Sequence, residues 1–121
     1  MLTSQVKRAN AGQLSARTFQ AECVAYTTVD PHLIWLGSQV ADSPWLAFGW
    51  LTRRAANIAE QLDRSTACPV RAWLADTHLH ARIVEQLNTG TPYTFTICEG
   101  PVRYALTIAP GSPEGGQCDG A

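Results

Sequence analysis

Gly100-Pro101 sits between two runs, Tyr93–Glu99 and Val102–Ala109, that alternate large apolar with small or polar residues. Glycine takes the positive-φ first position of a type II′ turn, and proline tolerates the second. A two-residue turn fixes the register, with Ile97 opposite Tyr104 and Phe95 opposite Leu106. Strand side chains alternate between faces. This register therefore gathers the large apolar residues on one face and Thr94, Thr96, Cys98, Arg103, Ala105 and Thr107 on the other. A one-residue slip would destroy the agreement. The hairpin thus constrains the whole chain, because a sheet with one apolar face must bury it against a second layer.

Helices supply that layer. Ser43-Pro44 is an N-cap followed by proline at the first helical position. Phe48, Leu51, Ala55, Ile58 and Leu62 follow at spacings of three and four, forming one stripe with Ala47 and Ala59. The spacing predicts a helix from about Pro44 to Arg64, with Arg53, Glu60 and Arg64 on its far side and Ser65–Pro69 ending it. The apolar run Val70–Ala75 reads as a strand. A second helix is predicted from Asp76 or Thr77 to near Asn88, with Gly90 as its left-handed C-terminal cap. Upstream, Phe19–Val29 and Leu33–Val40 read as a hairpin about Asp30-Pro31. The competing reading makes Asp30 an N-cap and Pro31 the first residue of a helix.

The expected order is ββαβαββ, an α+β two-layer sandwich with two helices packed on an antiparallel or mixed sheet. At 121 residues the chain is one domain over residues 1–110, its first 14 weakly patterned, followed by a Gly-rich tail over 111–121. Hydrophobic residues are 45% and charged ones 16%, the balance of a packed globule. A net charge of −1 provides no positive field for nucleic acid or an anionic membrane. Lys7 is the single lysine beside eight arginines, and alanine is frequent, as codon bias in a GC-rich bacterial source would produce. No window is apolar enough for a membrane span or a signal core, so a cytoplasmic protein with reduced thiols is expected. Cys23 and Cys98 lie in strand-like runs and read as small core residues, and Cys118 in the tail as the reactive one.

Two groups of residues carry functional candidates. The first is Asp76-Thr77-His78-Leu79-His80. A strand ending in His-x-His aims both imidazoles to one side, which makes half a metal site. Locally the pentapeptide resembles the first metal-ligand motif of the amidohydrolase superfamily. The resemblance implies a metal-dependent hydrolase using Asp76, His78 and His80, but it covers five residues, and that family's large barrel exceeds this chain. If a helix instead begins at Asp76 or Thr77, the two histidines lie about 200° apart. His80 then falls in the apolar stripe with Leu79, Ile83, Val84 and Leu87, and His78 faces water. That reading needs no metal and no cofactor.

The second group is aromatic. Leu46 and Trp50 lie four apart on the first helix, off its main stripe, with Trp45 on the opposite flank. A helix apolar on more than one side touches more than one thing. Either the first hairpin wraps the helix start, with Trp35 in that cluster, or Trp35, Trp45, Leu46 and Trp50 form a binding surface. The expected function is a non-catalytic interaction module acting on a protein partner, a second copy of itself or a small apolar ligand. Accessory and inhibitory proteins of phages and mobile elements are often domains of this kind. The adjacent Arg53 and Arg54 diverge by about 100° on a helix and read as a solvated face.

Overall fold

A computed structural model of the chain describes residues 17–30 and 32–111. The expectations for the first 14 residues, for the tail beyond 111 and for Cys118 lie outside the described residues. The chain runs β1 (Phe19–Thr27), β2 (Leu33–Ala41), α1 (Pro44–Gln61), α2 (Arg64–Ala75), α3 (Thr77–Asn88), β3 (Tyr93–Glu99) and β4 (Val102–Pro110). The four strands form one antiparallel sheet in the order β2-β1-β4-β3. The helices pack on one face, so the α+β sandwich stands.

The C-terminal hairpin has the register its turn dictates: Phe95 faces Leu106 and Ile97 faces Tyr104, with Glu99 opposite Val102. Gly100 holds φ at +56° in the two-residue turn. The N-terminal pair is also a hairpin, with Phe19 opposite Ala41 and Tyr26 opposite Leu33. The helix alternative at Asp30-Pro31 fails because extended β2 begins at Leu33. The Asp30 amide is held in the turn by Thr27 Oγ1 at 3.0 Å.

One element differs from expectation. The segment read as a break and a strand, Ser65–Ala75, is α2. Asp63 caps it, its carboxylate accepting from the Thr66 amide at 2.8 Å and from the Ser65 hydroxyl at 3.0 Å. The Thr66 amide bond leads in holding that carboxyl below its ordinary range. Ala67, Val70 and Trp73 recur every three residues and are all buried, so the run has helical period and Arg71 points to water. Pro69 lies in the second turn on the exposed side, where it removes the bond to the Ser65 carbonyl and its ring crowds that oxygen, a cost of about 3 kcal/mol. Burial of Val70 and Trp73, about 1.5–3 kcal/mol for each large apolar side chain, offsets that loss. The order is therefore ββαααββ.

The joints between helices are very short. The Leu62 amide donates to Ala59 O at 3.2 Å, ending α1 just before Asp63. Asp76 both ends α2 and starts α3: its amide donates to Trp73 O at 3.3 Å, and its Oδ1 accepts from the Leu79 amide at 3.1 Å. At the far end of α3, the Gly90 amide donates to Leu87 O at 3.0 Å and the Thr91 amide to Gln86 O at 3.2 Å, the paired bonds of a Schellman motif.

The core lies between the sheet and the helices. Phe19, Ala21, Cys23 and Ala25 of β1 face it, with Ile97, Leu106 and Ile108 from the other hairpin and Leu51, Ala55, Ile83 and Leu87 from the helices. Cys23 is buried as expected, and burial pushes its thiol pKa up, partly offset by the Arg54 guanidinium. Cys98 is exposed instead, because its register places it with Thr94 and Thr96 on the outer face. Under β3 the core is aromatic. Trp73 stacks on Phe95 with centroids 4.1 Å apart, and its indole N–H donates to Tyr93 Oη at 2.9 Å. Phe48 meets Trp73, His80 and Tyr93 edge-on.

Candidate interaction surface

Sheet order puts β2 at an edge, so one side of its backbone has no strand partner among the described residues. Edge strands are normally blunted by charge, proline or shortness. β2 is nine residues long, Leu33-Ile-Trp-Leu-Gly-Ser-Gln-Val-Ala41, with no charge and no proline. Its one blunting device is a bulge. Cys23 pairs with Gly37 and Val24 with Trp35, so Leu36 is an extra residue in β2. Gly37 takes φ +138°, a conformation side chains rarely adopt. A Cβ there would lie 3.1 Å from Arg54 Nη2 and 3.5 Å from Trp50 Cζ2.

The bulge changes which way side chains point. Ala41, Gln39 and Gly37 pair with the buried residues Phe19, Ala21 and Cys23 and share their helix side. Past the bulge, Ile34 pairs with buried Ala25 and so also lies on the helix side. Leu33, Trp35, Ser38 and Val40 lie on the outer face. Four of these positions, Leu33, Ile34, Trp35 and Val40, are large, apolar and exposed, and Trp45 and Leu46 at the start of α1 join them: all six are 55–64% exposed. Trp45 and Leu46 line a cleft of about 270 Å³ with Gln39, Val40, Ala41 and Asp42, which places them beside the C-terminal end of β2. Capping of α1 by Ser43, whose Oγ accepts from the Leu46 amide at 3.2 Å, fixes both residues there.

Of the four residues expected in an aromatic surface, Trp35, Trp45 and Leu46 are exposed, and Trp50 is not. Trp50 is 8% exposed and packs beneath Gly37, wrapped by the first hairpin. Arg54 covers it, its guanidinium carbon 5.1 Å from the ring centroid. A cation in that position is worth about 0.5–1 kcal/mol at an accessible site. Arg53 remains exposed, as expected of a solvated face, whereas Arg54 is half-buried. A second cleft, about 510 Å³, runs between α1 and the α2–α3 joint, with Trp45, Phe48, Leu74 and His80 among its lining.

The pentapeptide is divided by the helix that starts at Thr77. Asp76 is committed to capping, and His78 is exposed. His80 lies against Phe48 and Trp73, its Nε2 2.7 Å from Trp73 O. A carbonyl only accepts, so Nε2 carries the proton and the ring's lone pair is on Nδ1. His32 hydrogen-bonds Asp30 in the β1–β2 turn, Nδ1 to Oδ1 2.9 Å. No group of three or more His, Cys, Asp or Glu side chains converges as a metal site among the described residues. No helix among them is long and apolar enough to cross a membrane.

Leu33, Ile34 and Val40 escape a sequence reading because their exposure depends on strand order. The signal that bears on them is Leu33–Leu36, an apolar run without alternation or charge. Such a run normally marks a strand covered on both sides; here it lies at an edge. Comparisons with protein-family models, curated proteins and solved structures find no match for this chain.

Proposed function

We propose that this chain is a non-catalytic binding module that engages a protein partner through the β2 edge and the start of α1. The observation that carries this reading is the nine-residue, uncharged, apolar edge of β2. Such an edge supplies main-chain donors and acceptors to an added strand, and side-chain contacts supply selectivity. Trp35, Trp45 and Leu46 flank the edge, and tryptophan is enriched where binding energy concentrates. The side chains with chemical potential have structural duties instead: Asp76 caps, His80 bonds a backbone carbonyl, and Cys23 fills the core. The metal reading of Asp76, His78 and His80 gains no support from this geometry.

Selection from a displayed library of extended peptides tests the reading. Peptides recovered on the wild-type chain should lose at least tenfold in affinity on Val40→Lys and on Trp45→Ser, and little on Thr96→Lys at the opposite edge. Equal binding to all three variants would place the working surface elsewhere.

A further inference from the structure

We propose that the partner at this surface is a second copy of the chain, joined antiparallel through β2 about a two-fold axis perpendicular to the sheet. The proposal rests on β2 being the working edge. Pairing of this kind keeps the faces in common, so the product is a continuous eight-stranded sheet with both helical layers on one side. Each copy's β3 edge is then left at the outside.

Three features favour a copy of this chain over another protein. The first is charge. An antiparallel strand set against itself brings its two ends together, and like charges opposite one another are destabilising. β2 has no charge to repel its twin, and the chain's net charge is only −1.

The second is shape. A two-fold axis brings the N-terminal end of one β2 to the C-terminal end of the other. On the helix side, the exposed apolar residue of β2 is Ile34, at the N-terminal end. Trp45 and Leu46 lie on the helix beside the C-terminal end. The axis puts Ile34 of each copy against Trp45 and Leu46 of the other. On the outer face it likewise brings Trp35 to Val40 of the second copy.

The bulge makes this match specific. Because Leu36 is extra, Ile34 and Ala41 share the helix side, and Trp35 and Val40 share the outer face. With Leu36 extra to this pairing as well, Ser38 meets Ser38 of the second copy and Gly37 meets Gln39, and beyond each bulge Trp35 meets Val40 and Ile34 meets Ala41, so both faces agree. Moving the register by one sets Trp35 against Gln39, on opposite faces, and is excluded.

The third feature is area. At roughly 100 Å² for each half-exposed large side chain, the six residues offer about 600 Å² per copy. The backbone of the strand brings this close to the ~800 Å² per partner of a stable interface.

The test is sedimentation velocity on the full chain across micromolar concentrations, combined with disulfide trapping. Twice the mass of the chain is expected, falling to one mass on Val40→Lys with an unchanged circular dichroism spectrum. Ile34→Lys gives a second reading should Val40→Lys disturb the fold. In a background with Cys68, Cys98 and Cys118 replaced by serine, Trp35→Cys with Val40→Cys should form a covalent dimer on oxidation. Within one copy these positions lie roughly 16 Å apart along the strand, too far to bridge. Trp35→Cys with Gln39→Cys should not link. A monomer at every concentration, a dimer indifferent to both lysines, or equal linking of the two cysteine pairs would overturn the proposal. A monomer that still binds extended peptides through Val40 and Trp45 would overturn the dimer alone. One that binds none would remove the binding-module reading as well.

Discussion

The sheet has two edges, and they are built differently. β3 alternates cleanly: Tyr93, Phe95 and Ile97 turn toward the helices, while Thr94, Thr96 and Cys98 face out and Glu99 closes the strand. α2 lies against its helix side, with Trp73 stacked on Phe95 and bonded to Tyr93. β2 has a bulge, no charged residue, and large apolar side chains exposed on both faces. Each edge has its tryptophan: Trp73 is buried beside β3, and Trp35 on β2 is exposed. The difference separates two uses of the same chemistry. At β3 the aromatic surface is spent inside the molecule on stability. At β2 it remains available to another chain.

That division implies a large asymmetry in stability. Trp73→Ala should lower unfolding free energy by about 3–5 kcal/mol, the range for emptying a large buried aromatic site. Trp35→Ala should change it by less than about 0.5 kcal/mol, as for an exposed position, when measured at concentrations too low for association. Urea denaturation of both variants checks the pair. Comparable losses would mean that Trp35 is part of the monomer's core and that the two edges are alike.

A smaller effect is expected at the bulge. Gly37→Ala should destabilise by about 1–3 kcal/mol, because φ +138° is strained for any residue with a Cβ and the added atom crowds Arg54 Nη2. Thr96→Ala, on the regular β3 edge, should cost less than about 0.5 kcal/mol. The same substitution that destabilises the fold should also disturb Trp50 beneath it, seen as a shift in tryptophan emission. A neutral Gly37→Ala would show that the bulge is not a fixed feature of β2.

The contrast between the edges was only partly legible in the sequence. The C-terminal hairpin could be read to the residue, since turn chemistry and face alternation demand the same register. α1 and α3 carry long stripes with capping residues, and their spacing defines them well. α2 hid because the six residues Val70–Ala75, five of them apolar, are too few to separate a period of 3.6 from one of 2, and Pro69 argued for a break. Its helical period appears only when Ala67 is counted with Val70 and Trp73. Trp45 and Leu46 could be named as surface candidates from the flanks of α1's main stripe, and Trp35 from the hairpin beside them. Trp50 could not be told from them, because its burial depends on the β2 bulge curling over it. That β2 is an edge is a property of strand order, which no local pattern encodes.

The joint that holds Trp73 over β3 gives a more modest test. Asp76 is the cap of α3 and the last residue bonded to α2. Asp76→Ala should cost about 1 kcal/mol, the usual loss for an N-cap, while Asp76→Asn should retain most of the stability. Thermal melts of the two variants distinguish capping from any wider role. An equal loss in both would mean that the charge, rather than the accepted bond from Leu79, matters at this joint.

The smallest expected effect is a titration at β3. Burial raises the Tyr93 pKa above its ordinary value, and the hydrogen bond from the Trp73 indole opposes that rise by favouring the phenolate. The sign for stability follows. An unfolded tyrosine ionises near pH 10, while Tyr93 in the fold still holds its proton. Its contribution is therefore complete below about pH 10 and is lost as pH rises through the folded value. Trp73→Phe removes the donor and should move Tyr93 further upward, provided the ring still fills the site. Phenolate absorbance, taken as the difference between each protein and its Tyr93→Phe counterpart, isolates this one group from the other two tyrosines. A downward shift on Trp73→Phe would mean that water reaches Tyr93 once the indole is gone. The β3 edge would then be less closed than its packing implies, and the contrast with β2 would narrow by that much.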